Sequence, residues 1–90
     1  MAYDDRVNSP TKGRIVEIVA SADQLQAVRI PGYYWHGTKT LGYKPSISLY
    51  FYTNLYDYAN PDEERRAWND TTIIDPRTNE PYDWNRPPHK

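Results

Sequence analysis

The clearest pattern of apolar and polar positions in this 90-residue chain runs from residue 46 to residue 56. Successive side chains of a β-strand point to opposite faces, whereas a helix would distribute both sets around its circumference. The alternation therefore predicts a strand with an apolar face and a tyrosine-rich face. The apolar face consists of Ile47, Leu49, Phe51, Thr53 and Leu55.

Two further patterns predict hairpins. Residues 14–19 and 25–30 are rich in β-branched and other apolar residues, and the polar link between them predicts a hairpin that ends at Pro31. Residues 71–74 and 81–84 predict a second hairpin. Its turn would use Pro76, whose ring presets φ, and Asn79, which tolerates a left-handed backbone.

One short helix is predicted over residues 61–68. Asn60 can cap it, Pro61 fits its first position, and Glu63 can complete a capping box. Two turns do not persist alone, so we expect Trp68 to hold the helix against the sheet.

These elements predict a mainly β (β-rich α+β) fold in a single domain over residues 1–90. The architecture would be a small barrel or a two-layer antiparallel sheet with the one short helix. An ordered core would span residues 11–84, and residues 1–10 and 85–90 would form extended arms because they are polar or proline-rich without periodicity.

Composition limits how such a domain is stabilised. Apolar residues make up only 38% of the chain, yet it contains nine tyrosines, three tryptophans and one phenylalanine. There is no cysteine, and the two histidines, His36 and His89, lie far apart, so we expect no metal and no cofactor. No apolar run could span a membrane and no leader is recognisable, so we expect a soluble, cytoplasmic protein or one built into a particle assembled there.

Motifs for catalysis are weak. Residues 32–40 resemble a phosphate-binding loop, but Thr38 stands before Lys39 and breaks the required spacing. His36 and Asp57 could form an acid–base pair if the fold brought them together, but their spacing in the sequence does not predict that it does. The sequence therefore predicts a protein that is not an enzyme.

Charge placement keeps an alternative open. From Gln24 to Tyr56 there is no acidic residue, while cations alternate with aromatic rings, as in sites that bind nucleotides or single-stranded nucleic acid. A net charge of −1 provides little long-range attraction to a polyanion. The candidate residues for this alternative are Arg29, Tyr33, Tyr34, Trp35, Lys39, Tyr43 and Lys44.

The favoured function is contact with protein. Tyrosine, tryptophan and arginine dominate the energetic centres of interfaces, so an exposed aromatic surface and aromatic ends indicate an assembly subunit, a homo-oligomer or a protein docked on a partner. A small viral or phage structural or inhibitor protein would suit this size. The opposing interpretation is that Trp84 folds back onto its own sheet. The candidate interface residues are Tyr50, Tyr52, Tyr56, Tyr82, Trp84 and Arg86.

Overall fold

The fold is built from short antiparallel strands. The computed structural model describes residues 1–88. The strands are β1 (Ala2–Tyr3), β2 (Ile15–Val16), β3 (Trp35–His36), β4 (Ile74–Asp75) and β5 (Glu80–Pro81). One sheet has the order β2-β1-β3, and β4 pairs with β5 in a second sheet. The predicted mainly β fold is confirmed, but the sheets do not close into a barrel.

The N-terminus differs from the predicted arm, because β1 is the central strand of the three-stranded sheet. Tyr3 lies opposite Ile15 of β2 and opposite Trp35 of β3. Tyr3 and Ile15 are buried with Ile73, and Met1 and Trp35 pack against them. The apolar run of Met1, Ala2 and Tyr3 gives way at once to Asp4, Asp5 and Arg6, and three residues are too few to produce a periodic pattern, which is why the sequence indicated an arm.

The second predicted hairpin is confirmed as β4 and β5. Asn79 has a φ of 57°, the left-handed conformation expected of it, and its N–H donates to the Asp75 carbonyl at 2.8 Å. The N–H of Tyr82 donates to the Ile73 carbonyl at 2.8 Å and extends the ladder beyond β5. The turn therefore fixes the register that carries Tyr82 toward the core.

The predicted helix does not form, and residues 61–68 have no regular structure. Two turns need tertiary support, but the Trp68 side chain is 70% exposed and does not hold them. Upstream, the Asp57 carboxylate accepts the N–H groups of Ala59 and Asn60. The backbone around Asn60 is therefore fixed by this turn, and no helix follows it.

The structure also differs from the prediction at the first hairpin and at the strand predicted over residues 46–56. β2 pairs with β1, and residues 25–30 form no strand; the link between them closes only as a turn, with the Gln24 N–H bonded to the Ser21 carbonyl at 3.1 Å. Residues 46–56 are exposed and unpaired as strand within the described chain. A strand needs a neighbour for its backbone groups, and the 88 described residues supply none here.

The C-terminal arm is only partly described. Arg86 is half-buried and turns back onto the fold, whereas His89 and Lys90, which the arm was predicted to include, lie outside the described residues. Within residues 1–88 no helix is long and apolar enough to cross a membrane.

Candidate functional site

Charged side chains meet in a cluster formed by Glu17, Asp75, Tyr82 and Arg86, here called the carboxylate cluster. A guanidinium nitrogen of Arg86 donates to Glu17 Oε1 at 2.6 Å and to Asp75 Oδ2 at 2.7 Å. The Tyr82 hydroxyl donates to Glu17 Oε1 at 2.7 Å. The side chains of Glu17 and Asp75 are 5% and 1% exposed, so the two carboxylates are compensated away from bulk water.

The surroundings of the cluster set its protonation. Burial raises the pKa of Asp75. The hydrogen bonds from the Arg77 backbone N–H and the Arg86 guanidinium lower it by more, so the net pKa is below its usual range. Burial and the neighbouring Glu17 carboxylate raise the pKa of Tyr82. Near neutral pH the phenol therefore keeps its proton and the Asp75 carboxylate keeps its charge. Such groups fix structure and are poorly suited to proton transfer.

A second cluster folds the N-terminal loop around Asp4. The buried carboxylate accepts from Arg6 Nε at 2.9 Å and from the hydroxyls of Ser9 and Thr11 at 2.7 Å and 2.5 Å. The Arg6 guanidinium beside Asp4 holds the pKa of that carboxyl well below its usual range. Gly13, whose φ of 83° suits glycine, closes the loop by donating to the Asp4 carbonyl.

A shallow cleft with a volume of about 70 Å³ opens beside this loop. Asp4 and Arg14 are among its lining residues, but the Asp4 carboxylate is already committed to the loop. The cleft therefore offers a ligand few polar groups, and we assign it no function.

Arg66 joins three parts of the chain. Its guanidinium donates to Asp5 Oδ2 at 2.9 Å and to Asp70 Oδ2 at 2.5 Å, and lies 5.3 Å from the centre of the Trp35 ring. Trp35 Nε1 also donates to Asp5 Oδ2, at 3.0 Å. Arg66 and Thr72 lower the pKa of Asp70 to about 2. This bridge orients β3, the strand that carries His36.

Trp84 folds back onto the chain, as one of the two interpretations expected. Its Nε1 donates to the Trp68 carbonyl at 2.8 Å, and Lys39 Nζ donates to the Trp84 carbonyl at 2.6 Å. A Cβ at Gly37 would lie 2.9 Å from the indole, so the ring rests directly on that glycine. Its edge-on contact with Tyr82, at 5.1 Å between centroids, links this seat to the carboxylate cluster.

The predicted interface residues divide into two sets. Tyr82, Trp84 and Arg86 contact their own chain, as described above. Tyr50 and Tyr52 stack at 6.4 Å, whereas Tyr56 meets Tyr58 edge-on at 4.8 Å, and all of these rings are exposed. Contact with a partner stays a prediction, but the first set would have to keep its internal contacts while making it.

The residues of the acid-free region are similarly divided. Tyr33 and Tyr34 meet at 5.0 Å, and the Arg6 guanidinium lies 4.0 Å from the centre of the Tyr33 ring. Trp35 and Lys39 make the internal contacts given above. The remaining candidates are exposed: Arg29, Tyr43 and Lys44. Anion binding by this region stays a prediction.

The two candidate catalytic residues are held differently. His36 lies on β3 and is exposed at the edge of the three-stranded sheet. The Asp57 carboxylate is committed to its own turn, where it accepts two backbone N–H groups. Among residues 1–88 no three His, Asp or Glu side chains converge as metal ligands.

Sequence reasoning missed the buried carboxylates Asp4, Glu17 and Asp75. A signal was present for Glu17, because it shares the parity of Ile15 in the β-branched run 14–19 and therefore points to the core side. A carboxylate on the core face of a strand requires a cationic partner. Asp4 and Asp75 sit beside turns, where an acidic residue is ordinary and gives no such signal.

Comparisons with known proteins identify two curated relatives. The chain is 51% identical over 63 residues, 70% of its length, to a probable low-salt glycan biosynthesis epimerase, Agl13, of Haloferax volcanii. It is 38% identical over 71 residues, 79% of its length, to the spore coat polysaccharide biosynthesis protein SpsL of Bacillus subtilis. The matches cover 40% and 47% of the relatives, so the chain spans less than half of their length.

No family model and no solved structure gives a significant match. The two relatives nevertheless overturn the predicted function. A non-enzymatic assembly subunit of viral or phage type is wrong, because both relatives are named for glycan or polysaccharide biosynthesis and one of them for an enzymatic activity. The prediction that the protein is not an enzyme is wrong for the same reason. Its cause was the absence of a recognisable catalytic spacing, which a partial chain need not contain.

Proposed function

We propose that the chain is part of an enzyme of glycan biosynthesis that inverts a stereocentre of a sugar. The observation that carries the proposal is the 51% identity with the epimerase of Haloferax volcanii over 70% of the chain. The similarity to the Bacillus subtilis protein supports polysaccharide biosynthesis as the setting without naming a reaction. We also propose a cytoplasmic location, to which a chain without cysteine is well suited.

The route that we propose for the inversion applies to a carbon beside a carbonyl: a proton leaves the carbon on one face, the carbonyl holds the electron pair as an enolate, and a proton returns on the other face. Such transfer needs side chains that can exchange protons within hydrogen-bonding distance of the substrate. Asp4, Glu17 and Asp75 are held by arginines and hydroxyls, so we exclude them from this role. His36 is our candidate, because imidazole exchanges protons readily near neutral pH and this side chain is exposed on a positioned strand.

Aromatic rings supply the second requirement, a surface for the sugar. Binding sites for small molecules combine apolar and aromatic walls with a few fixed polar groups. Tyr33 and Tyr34 form such a wall next to β3, with Arg6 seated on Tyr33. We propose that this pair contacts the sugar that His36 acts on.

The test uses NMR in D₂O on sugars that carry a carbonyl beside the inverted carbon, since such a C–H is acidic enough to exchange. The Haloferax relative first identifies which sugars of the panel are converted. A chimera in which this chain replaces the matching stretch of that relative, and the 90-residue chain by itself, are then compared. We expect the chimera to invert the same sugar and to incorporate deuterium at the inverted carbon.

His36→Asn in the chimera should lower that conversion by about 100-fold or more. Lys12→Gln, an exposed change in the N-terminal loop, is the control and should leave it unchanged. A folded chimera that neither inverts the sugar nor exchanges its proton contradicts the proposed function. A chimera whose activity survives His36→Asn contradicts only the role of His36.

A further inference from the structure

Residues 38–60 form one uninterrupted exposed stretch, here called the exposed segment. It carries large apolar side chains that a folded protein normally covers, among them Leu49 at 81% and Phe51 at 91% exposure. Contiguous apolar surface of this kind marks a site of contact rather than a solvated face. The segment includes residues 46–56, whose alternation predicts a strand.

The backbone of the exposed segment is as open as its side chains. Within the described chain, residues 46–56 belong to no sheet, and the nearest recorded bonds are local: the hydroxyls of Thr40 and Ser46 meet at 2.7 Å, and Asp57 closes its own turn. A strand with alternating side chains and two open edges can pair on both sides. Its sequence is therefore satisfied only inside a larger sheet.

Both faces of this strand also need cover. One face is apolar, and the other presents Tyr50, Tyr52 and Tyr56. Within residues 1–88 only three hydrophobic residues are buried, and each strand is two residues long. This folded part is too small to bury either face. A strand covered on both faces lies in a sheet that has further packed structure on each side.

We propose that residues 46–56 form an interior β-strand of a sheet supplied by the part of the longer enzyme that this chain does not span. The relatives are more than twice as long as the stretches they share with the chain, so a protein of their size has the length to supply that sheet. The proposal stands on exposure, alternation and length, and it does not depend on the reaction.

A second copy of the chain is the weaker occupant. Two exposed segments paired with each other would satisfy one edge of each and leave both faces bare. Charge also limits which sheet can bind this strand. The chain has no acidic residue from 24 to 56, so a sheet that pairs with residues 46–56 should be neutral or acidic rather than basic.

Hydrogen exchange of backbone amides tests the proposal in the 90-residue chain, at two concentrations, and in the chimera described above. We expect amides of residues 47–55 to exchange rapidly in the chain alone and at least about 100-fold more slowly in the chimera. Slow exchange in the chain alone overturns the proposal. If that protection depends on concentration, a second copy is the occupant; if it does not, the segment folds onto its own chain.

A pair of matched variants locates the contact. Leu49→Asp lies in the segment, and Leu25→Asp is the control, because Leu25 is 89% exposed and lies outside residues 46–56. Leu49→Asp should abolish the protection of residues 47–55 in the chimera, since it would bury an unpaired charge, whereas Leu25→Asp should preserve it. Equal effects of the two variants, or a folded chimera with unprotected amides at 47–55, overturn the proposal.

Discussion

Two regions of this chain are both rich in aromatic rings, yet only one of them is ordered by its own contacts. Around the strands, three polar ring edges meet fixed acceptors: Trp35 donates to Asp5, Trp84 to the Trp68 carbonyl, and Tyr82 to Glu17. In the exposed segment the recorded ring contacts are with other exposed rings, such as Tyr50 with Tyr52. The comparison shows that aromatic content alone does not decide whether a segment is ordered.

Charge separates the same two regions. The folded region contains the buried carboxylates and the arginines that compensate them, whereas the exposed segment has no acidic residue before Asp57. Glu17 and Arg86 are far apart in the sequence, and the ion pair between them holds their two parts of the chain in one relative position. A segment without such pairs depends on apolar contact for its position. Its apolar side chains stay exposed until another surface is large enough to cover them.

The largest effect is expected from the arginine that two carboxylates share. Arg86→Met should reduce the free energy of unfolding by about 3 kcal/mol, because it removes the charge that compensates Glu17 and Asp75 while retaining an unbranched apolar side chain. Arg65→Met is the matched control: its guanidinium is 81% exposed, and we expect less than about 0.5 kcal/mol. Urea denaturation measures both. Equal losses would mean that the carboxylate cluster does not hold the folded region.

A smaller effect is expected at the seat of Trp84. Gly37→Ala places a methyl group 2.9 Å from the Trp84 indole. The free energy of unfolding should fall by about 1 to 2 kcal/mol, because hydrogen bonds at the Trp84 Nε1 and at the Trp84 backbone carbonyl hold the residue in place. Gly32→Ala is the control, since a Cβ there meets no atom within 4 Å. Thermal denaturation followed by tryptophan fluorescence reports both stability and the position of the ring. Gly37→Ala as stable as Gly32→Ala would show that Trp84 is not seated.

Sequence patterns predicted local features of the folded region better than its pairings. The β4–β5 hairpin was predictable because Pro76 and Asn79 specify a turn within six residues. The pairing of β1 with β2 and β3 was not, since it joins residues up to 34 positions apart and depends on Tyr3, which ends an apolar run of only three residues. Local chemistry determines turns, whereas long-range pairings depend on which surfaces the whole chain offers.

The exposed segment illustrates the opposite case. Its alternation at residues 46–56 predicted a strand, and the described residues contain no partner for it. The predicted helix over 61–68 failed for a related reason, because the tryptophan meant to hold it is exposed. Of the candidate site, His36 and the acid-free aromatic region were visible in the sequence. The carboxylate cluster was not, because its members come from residues 17 to 86.

The dependence of stability on alkaline pH tests the role of a single group, the Tyr82 hydroxyl, in the folded region. Because burial and Glu17 raise the pKa of Tyr82 in the folded state, the unfolded state loses this proton first. The stabilisation is therefore complete below about pH 10 and declines as the pH rises above it. Tyr82→Phe should cost about 1 kcal/mol at neutral pH and flatten the alkaline decline, whereas Tyr52→Phe, in the exposed segment, should change neither. Urea denaturation at pH 7 and at pH 10.5 measures both variants, and a decline retained in Tyr82→Phe would contradict the assignment.

The smallest effect is expected in the exposed segment, and its smallness is the informative result. Leu49→Ala in the 90-residue chain should change the free energy of unfolding by less than about 0.5 kcal/mol, because an exposed side chain loses little on truncation. Ile15→Val removes a single methylene from the core and should cost about 1 kcal/mol, more than the whole truncation at Leu49. Urea denaturation compares the two. If Leu49→Ala costs as much as Ile15→Val, the leucine is covered by the chain itself and the two regions are one folded unit. If it costs nothing here but destabilises the chimera, the difference measures the contact that the rest of the enzyme provides.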